Sequence, residues 1–518
     1  MQDFAPTHSQ RRRWLQAAVG GAWLAHAGAM ASQASPARPA AAAKNHDARN
    51  ERPVLPPQLP RGLASLLASS GLPADAIGLH VQGVHQGAPW LASHNGERTF
   101  QLASTAKLVT SLAALDLLGP EYRWRTPAFA TGTMHDGQLL GDLVILGVGD
   151  AMLSSEDLLA WFTQIQQQGL KEIRGNIVID RVGFRLTPAD LASTPPPGPD
   201  RPHHALPDAF TLDEGRLRLR VQAAAHALPR LQLMPAVAGL HVHSRLGNQP
   251  GACRVSAELA PPLAGQQARR LLVQGNWPAH CGSHELQLMP WTQQDYAQRA
   301  VGALWRQAGG RLHGQVVMAP DEARETAWPL GPEGRRMQAW SVHRSEPLPQ
   351  VLRDINKLRD NLAARNLMMS LAPGFPWQVA TLPGARDRVD GWLRQTGLMP
   401  GDIRVDSGSG LSRGEQGKPR ALVHLLRLAW RAPQRDAFVS SLPVAGVDGT
   451  LAHRMTRGAA TGRAFLKTGT LLDTRALAGY VLGKSGTPYA LTALVNHPDA
   501  QRAIPMLDGV VEWLAGHG

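Results

Sequence analysis

Ser104 and Lys107 lie one helical turn apart in the stretch LASTAKLVT. A serine hydroxyl becomes a nucleophile when a base removes its proton, and a neutral lysine amine can act as that base. Burial or a second cation lowers the pKa of the amine and so favours its neutral form. Lysine is scarce here, since the chain has seven lysines among its 53 Lys and Arg residues. The pair predicts a serine nucleophile at Ser104 with Lys107 as its base, if another cation lies nearby.

The stretch LKTGT supplies such a cation, Lys467. On a predicted strand, Gly469 lets a substrate backbone approach the strand edge closely. Lys467 offers positive charge there, and the hydroxyl of Thr468 suits a substrate carboxylate. Each motif alone occurs by chance in a chain of this length. Together, in this order, they resemble the motif set of serine β-lactamases and penicillin-binding proteins.

Local patterns indicate which elements carry these residues. Leucines recur at helical spacing after Ser104, and Gly119-Pro120 ends that helix. Ser104 is therefore expected at a helix N-terminus, where backbone N–H groups are free. Farther along the chain, FLKTGTLLDTRALAGYVLG and YALTALVN indicate paired strands, followed by a closing helix. Between about 128 and 340, short strands alternate with Gly/Pro turns, which predicts a mostly β insertion.

The N-terminal region is typical of an export signal. Arg11 to Arg13 precede Trp14, Leu15 and a short Ala/Gly-rich apolar run that ends in a small-residue cleavage pattern. We interpret residues 1–31 as a signal peptide of twin-arginine type, with an ordinary secretory signal or an uncleaved anchor as alternatives. Residues 32–60 are Ala/Pro-rich and read as a linker. The apolar run is too short for a membrane span, so we expect none after signal removal.

The two cysteines, Cys253 and Cys281, suggest one disulfide in an exported protein. Two free buried thiols are the alternative. Neighbouring His280 and His284 do not form a zinc-binding pattern with them, and we expect no metal site.

The 518-residue chain carries a net charge of +13, with arginine scattered along it. A basic surface suits nucleic acid, anionic membranes or anionic polymers. However, the sequence has no zinc-finger spacing and no aromatic-basic RNA-binding motif, so we do not expect nucleic acid as a partner.

Seven ordered blocks make the resemblance specific. They are ASTAKLVTSLAALDLLG, GDLVILGVGD, GNIVIDRVGF, INKLRDNLAARNL, DSGSGLSR, SLPVAGVDGTL and KTGTLLDTRALAGYV. The chain resembles the D-alanyl-D-alanine carboxypeptidase/endopeptidase family, the class C low-molecular-mass penicillin-binding proteins. The resemblance implies a mixed α/β transpeptidase-like domain, with an antiparallel sheet and flanking helices, formed by residues 61–127 and 341–518. Residues 128–340 would interrupt it as inserted domains.

The resemblance also implies roles for individual residues. Ser104 matches the acylated nucleophile, Lys107 its base, and Asn361 the asparagine that holds the substrate amide. Lys467 and Thr468 match the residues that hold the terminal carboxylate. With Gly469 they form the Lys-Thr-Gly motif, and the backbone N–H groups of Ser104 and Thr470 would form an oxyanion hole. No metal or organic cofactor is implied.

One position departs from the family pattern. Where the family has the serine of Ser-x-Asn, this chain has Arg359. In the family mechanism that hydroxyl passes a proton towards the leaving amine, which a guanidinium cannot do near neutral pH. We therefore expect reduced turnover, with Arg359 contacting substrate instead. The alternative is that Arg359 turns away, and water or Ser412 takes the place of the missing hydroxyl.

These expectations describe a periplasmic serine peptidase that cleaves D-Ala-D-Ala ends or cross-links of peptidoglycan peptides and is acylated by β-lactams. A peptidoglycan-binding scaffold with a degenerate site is the second hypothesis, and Arg359 motivates it. A β-lactamase or esterase on the same fold is the third, which the long insertion disfavours.

Overall fold

The computed structural model describes residues 59–192, 206–237, 239–260, 269–320, 327–329 and 336–517. The predicted signal peptide, residues 1–31, lies outside these ranges, as does the linker 32–60 up to residue 58. None of the helices in the described part of the chain has the length and apolar character needed to span a membrane.

The largest sheet formed by the segments on either side of the predicted insertion is antiparallel, with strand order β2-β1-β25-β24-β23. These strands are β1 (Ile77–Gly83), β2 (Trp90–His94), β23 (Ala464–Leu471), β24 (Thr474–Leu482) and β25 (Pro488–Asn496). The hairpin β1–β2 and the consecutive strands β23 to β25 pair locally, as their patterns predict. The pairing of β1 with β25 joins the two ends of the domain. The strand that carries Lys467 is therefore an edge strand.

Helices cover both faces of this sheet. The N-terminal helix α1 (Arg61–Ser69) packs against the C-terminal helix α11 (Ile504–Ala515) on one face. Leucines and valines from both helices and from the sheet form a shared core there. On the other face, α9 (Pro419–Arg431) crosses β1 and β25. The remaining helices of these two segments are α2 (Ala106–Leu117), α6 (Leu348–Lys357), α7 (Asn361–Ser370), α8 (Leu382–Gln395) and α10 (Arg435–Val439). A mixed α/β fold with an antiparallel sheet and flanking helices is thus confirmed.

Helix α2 runs through the middle of the helical layer. Its residues from Ala106 to Leu115 are buried, including the polar ones. It packs against α6, α7 and α8, which follow the predicted insertion in sequence. Apolar residues on more than one face are typical of such an internal helix. Surrounding helices therefore hold the turn at its start, Ala103–Thr105. We call it the nucleophile turn because it carries the predicted nucleophile, Ser104.

The region between 128 and 340 is rich in short strands. Its largest sheet has the order β18-β9-β7-β4-β19. Two of these strands, β4 (Arg125–Ala130) and β19 (Ser341–Arg344), pair with each other at the two ends of the predicted insertion. The other three are β7 (Leu143–Leu146), β9 (Ile177–Asp180) and β18 (Val316–Met318), and helices α3 (Ser155–Gln167) and α5 (Gln293–Gln307) pack together nearby.

Smaller sheets complete this region. One has four strands, β5 (Thr133–His135), β6 (Gln138–Leu140), β8 (Glu172–Ile173) and β17 (Arg311–Leu312). A second contains β11 (Leu217–Gln222), β12 (Arg230–Met234) and β16 (Ser283–Leu288), and a third contains β13 (Leu240–Gly247), β14 (Arg254–Ala260) and β15 (Arg269–Asn276). The remaining short elements are α4 (Pro188–Ala192), β3 (Phe100–Gln101), β10 (Phe184–Arg185), β20 (Ala380–Thr381), β21 (Ile403–Arg404) and β22 (Gln416–Gly417). Strand β10 pairs with β20, and β22 pairs with β21 and with the distant β3.

A disulfide joins Cys253 to Cys281, with an S–S distance of 2.03 Å. It links the start of β14 to the turn before β16. The predicted pairing is therefore present, and the alternative of two free thiols is not.

The side chain of Asn366 joins the region between 128 and 340 to a helix that follows it. The amide of Asn366, on α7, donates to the backbone oxygens of Gly149 and Asp208, and its oxygen accepts from the N–H of Asp208 at 3.2 Å. Because Asn361 begins the same helix, the inserted region helps to fix the helix that carries it.

Candidate active site

The predicted nucleophile lies in a short 3₁₀ turn, Ala103–Thr105, that leads into α2. Ala103 has a φ of 47°, in the left-handed region that non-glycine residues rarely adopt. The side chain of Ser104 is 8% exposed, and that of Lys107 is fully buried. The distance from Lys107 Nζ to Ser104 Oγ is 3.3 Å. The helical spacing read from the sequence therefore brings the two groups within hydrogen-bonding distance.

Two further oxygens fix the amine of Lys107. Its Nζ donates to Asn361 Oδ1 at 2.6 Å and to the backbone oxygen of Ser409. Burial lowers the pKa of Lys107 to about 7, with Arg359 and Arg365 acting in the same direction and Glu415 and Asp360 opposing them. A large share of this lysine is neutral near pH 7 and is able to accept a proton.

Asn361 is the first residue of helix α7, and a capped helix start sets its position. The side chain of Asp360 accepts from the N–H of Ala363 at 2.9 Å, which is an ordinary N-cap. Because α2 and α7 pack together, the asparagine and the lysine approach each other from two elements.

Lys467, Thr468 and Gly469 lie on the edge strand β23. Just before the motif, the outer side of the strand is hydrogen-bonded, since Leu466 N–H donates to Pro443 O. Among the described residues, no backbone group pairs with that side from Lys467 to Leu471. Alternate residues of a strand direct their N–H groups to the same side, so those of Thr468 and Thr470 also point outwards. The motif therefore presents an unpaired strand edge beside Ser104.

Lys467 is fully buried, and its Nζ donates to the backbone oxygen of Thr468 at 3.1 Å. Burial lowers the pKa of Lys467 far below its usual range, and the charges of Lys107 and Arg359 lower it further. The second cation expected from the sequence is thus electrostatically coupled to the first.

Gly469 is the point where β23 meets the nucleophile turn. A Cβ at this position would lie 3.1 Å from the Cβ of Ala103 and 2.8 Å from that of Ala476. The absence of a side chain lets the strand and the turn approach closely. Thr470, one residue farther, is exposed, and its N–H lies on the open edge on which an oxyanion hole would form.

Arg359 sits in the segment between α6 and α7. It is exposed and has a φ of 62°. Its guanidinium has no hydrogen-bond or ion-pair partner in the described part of the chain, yet its charge lowers the pKa values of Lys107, Lys467 and Arg475. Arg359 therefore acts on the site through charge. Ser412, named as a substitute hydroxyl, is buried and donates to Asp406.

Sequence reasoning missed two residues of the site. Thr450 accepts a hydrogen bond from the hydroxyl of Thr468 at 2.9 Å, and it lies within the SLPVAGVDGTL block. Glu415 is fully buried and follows the DSGSGLSR block by two residues. The sequence signal that could have identified Glu415 was an acidic residue directly after a Gly/Ser-rich segment.

Within the described ranges, one group of His, Cys, Asp or Glu side chains is close enough to hold a metal ion, namely Cys253, His280 and Cys281. Both sulfurs are bonded to each other, so neither is a thiolate ligand.

Comparison with known proteins identifies the family of the chain. The model of the D-Ala-D-Ala carboxypeptidase 3 (S13) family matches residues 59–516. The chain is 23% identical over 422 residues to the D-alanyl-D-alanine carboxypeptidase DacB of Haemophilus influenzae, covering 78% of this chain and 82% of that protein. It is 27% identical over 447 residues to a D-alanyl-D-alanine carboxypeptidase of Actinomadura sp., covering 82% of this chain and 78% of the relative.

Among solved structures, penicillin binding protein 4 from Haemophilus influenzae has the same fold. The TM-score is 0.63 at 21% identity, and the match covers 87% of this chain and 99% of that one. Since the family model spans nearly all of the described residues, the chain belongs to the D-Ala-D-Ala carboxypeptidase 3 (S13) family of peptidases.

Proposed function

We propose that the protein is a serine-type D-Ala-D-Ala carboxypeptidase and endopeptidase that cleaves peptidoglycan peptides through an acyl-enzyme. The observation that carries this proposal is the contact of Ser104 Oγ with a buried Lys107 whose pKa is about 7. That combination provides a nucleophile and a base near neutral pH.

The acylation step follows from these positions. Neutral Lys107 takes the proton of Ser104, and the serine oxygen attacks the carbonyl between two D-alanines. The negative oxygen of the intermediate would be stabilised by the N–H groups of Ser104 and Thr470. The C–N bond then breaks, and the ammonium of Lys107 returns the proton towards the leaving amine. Water later attacks the ester carbonyl and gives a proton to Lys107. Lys107 returns that proton to Ser104 Oγ as the ester C–O bond breaks, which releases the peptide acid and restores the serine.

The open edge of β23 suits a peptide substrate, which would add to the sheet as an extended strand. The hydroxyl of Thr468, held by Thr450, and the amine of Lys467 are available to the terminal carboxylate. The negative charge of that carboxylate would favour the ammonium form of Lys467. Arg359 adds a second positive charge with no protein partner in the described part of the chain, and we assign it to the substrate as well. β-Lactams would acylate Ser104 because they resemble the D-Ala-D-Ala end.

Arg359 is also the reason to expect slow turnover. Neither its guanidinium nor the buried Ser412 is placed to relay a proton to the leaving group. Loss of general acid–base help costs roughly 10²–10⁴-fold in rate. We therefore propose that expulsion of the leaving amine and the later hydrolysis of the ester, rather than the attack by Ser104, limit the reaction. If the later steps fail altogether, the protein binds peptidoglycan without turning it over.

We further propose that the protein acts in the periplasm after export. The N-terminal arginines with their apolar run support export, and the disulfide between Cys253 and Cys281 suits an oxidising compartment.

The test combines labelling with product release. The mature protein is incubated with a fluorescent penicillin, and D-alanine release from a pentapeptide is followed, for the wild type and for Ser104→Ala and Arg359→Ser. We expect labelling of the wild type and none of Ser104→Ala. Arg359→Ser should release D-alanine about tenfold faster or more, because it restores a relay hydroxyl. An unlabelled wild type refutes the nucleophile, and equal release by Arg359→Ser refutes slow turnover.

A further inference from the structure

The side chain of Glu415 lies at the centre of a loop that wraps around the nucleophile turn. The carboxylate is fully buried. One oxygen accepts from Gly408 N–H at 2.6 Å, and the other from Ser412 N–H and from Ser407 Oγ, each at 3.3 Å. The N–H of Gly410 also donates to it. One carboxylate thus fixes the backbone of residues 407–412, which we call the floor loop.

The floor loop in turn positions the base. The backbone oxygen of Ser409 accepts from Lys107 Nζ. The oxygen of Gly408 accepts from Thr110 Oγ1, one turn farther along α2, at 2.9 Å. Gly410 lies so close to the nucleophile turn that a Cβ there would be 2.6 Å from Ser104 N. A shift of this loop would therefore move both the base and the nucleophile.

The charges around Lys107 come from four elements. Glu415 follows the floor loop, Arg365 lies on α7, Lys467 on β23, and Arg359 and Asp360 on the segment before α7. Of the two acids, Glu415 has the stronger effect on Lys107. Burial and Asp406 raise the pKa of Glu415, while Lys107 and two backbone N–H groups lower it. On balance the pKa of Glu415 is raised above its ordinary value, chiefly by burial. The hydrogen bonds from Gly408 N–H, Ser412 N–H and Ser407 Oγ act in the opposite sense and favour its ionised form.

We propose that Glu415 is a positioning residue for Lys107: it holds the floor loop in place and acts on the amine by its negative charge, without contacting substrate. No part of the family comparison assigns this role. The inference rests on the proposed function in one respect, namely that Lys107 is the base for acylation of Ser104.

The proposal predicts two separable effects of Glu415→Gln. Without the negative charge, the ammonium form of Lys107 is less favoured, so its pKa falls below about 7. The acidic limb of the acylation rate should then move to lower pH, by about one pH unit. The limiting rate at high pH should also fall by roughly tenfold, because an amide nitrogen cannot accept from the floor loop and the base is misplaced.

The experiment measures the rate constant of acylation by a chromogenic β-lactam between pH 5 and pH 9. It compares the wild type with Glu415→Gln, Glu415→Asp and the control Asp213→Asn. Asp213 is also a buried acid, and it accepts from Ser155 N–H and from the hydroxyl of Tyr296 in the inserted region, away from the site. Asp213→Asn should leave the acidic limb unchanged.

Glu415→Asp keeps the charge but shortens the side chain. We therefore expect the acidic limb of the acylation rate at the same pH as in the wild type, with a reduced limiting rate at high pH. An unshifted limb in folded Glu415→Gln overturns the proposal. If Glu415→Gln does not fold, a wild-type limiting rate in Glu415→Asp overturns it instead. Failure of the proposed function is a different result, since the wild type itself would then not be acylated at Ser104.

Discussion

The floor and the rim of the site are held in opposite ways. The floor comprises Lys107, the floor loop and Glu415, and its charged groups are buried with several hydrogen bonds each. The rim, residues 358–360, contains Arg359 with a left-handed backbone and an exposed side chain. Hydrogen bonds fix the position of the Lys107 amine, whereas the guanidinium of Arg359 is held by none of the described side chains. The predicted departure from the family pattern therefore lies at a side chain that hydrogen bonds within the described residues do not hold.

The largest expected effect comes from placing a side chain in the floor. In Gly410→Ala, the new Cβ would lie 2.0 Å from Ala103 O, at a φ of 85°. We expect a loss of about 3 kcal/mol or more in the free energy of unfolding, since neither backbone can yield easily. Acylation should fall by at least about 100-fold, because the nucleophile turn moves. Thermal unfolding and penicillin acylation measure the two effects.

Gly401→Ala is the matched control. It has a similar φ of 87° but no atom within 4 Å of the new Cβ. Gly401→Ala should lower the free energy of unfolding by only about 1–2 kcal/mol, which is the cost of a left-handed backbone for a residue with a Cβ. It should leave the acylation rate unchanged. Equal effects of the two substitutions would mean that close packing at Gly410 is unimportant.

The second effect is electrostatic and also concerns the floor. Asn361→Asp keeps the side-chain shape but places a carboxylate oxygen 2.6 Å from Lys107 Nζ. An opposite charge favours the ammonium, so the pKa of Lys107 rises above about 7. Acylation at pH 7 should fall by about tenfold or more and recover as the pH is raised. The pH dependence of acylation is the measurement.

Asn366→Asp provides the comparison, because the same substitution on the same helix affects contacts with the inserted region only. It should lower the melting temperature without moving the acidic limb. If Asn361→Asp leaves the limb in place, Asn361 does not act on the base as its distance indicates.

The third effect contrasts the rim with the floor. Arg359 lowers the pKa of Lys107, so Arg359→Gln should move the acidic limb of acylation to higher pH, opposite to Glu415→Gln. The shift should be smaller, about half a pH unit at low salt, and should largely vanish at about 1 M salt, because exposed charges are screened. The shift in Glu415→Gln should persist in high salt. The measurement is the pH dependence of acylation at both salt concentrations. A shift in Arg359→Gln that persists at about 1 M salt would mean that the charge of Arg359 is not screened.

Much of this contrast could not be read from the sequence. Ser104 and Lys107 share one helical turn, and Lys467 to Thr470 are contiguous, so local spacing was sufficient to predict that the members of each motif lie close together. Strands β23 to β25 and the closing helix also follow from local patterns. The pairing of β1 with β25 is non-local, and no periodicity reports it. The contact of Lys107 with Ser409 likewise joins distant segments, so the floor loop looked like an ordinary Gly/Ser turn.

The role of Thr450 was hidden for a similar reason. Its hydroxyl meets Thr468 only because the segment before β23 folds back along the strand edge, where Ala445 N–H donates to Ala464 O. From the sequence, Arg359 is predicted to replace the serine of the family motif, and that assignment stays a prediction. The sequence did not predict the backbone conformation there, since a left-handed arginine has no signature in residue type.

The smallest expected effect tests whether the rim is strained at all. A non-glycine residue at a φ of 62° carries a backbone cost that glycine does not, although glycine loses more entropy on folding. The net gain from Arg359→Gly should be about 0.5 kcal/mol in the free energy of unfolding. Arg359→Ala is the control, because it removes the same charge and keeps the Cβ. Chemical denaturation should therefore rank Arg359→Gly above Arg359→Ala. The reverse order would mean that the left-handed rim conformation costs the fold nothing, and the rim would then be as well accommodated as the floor.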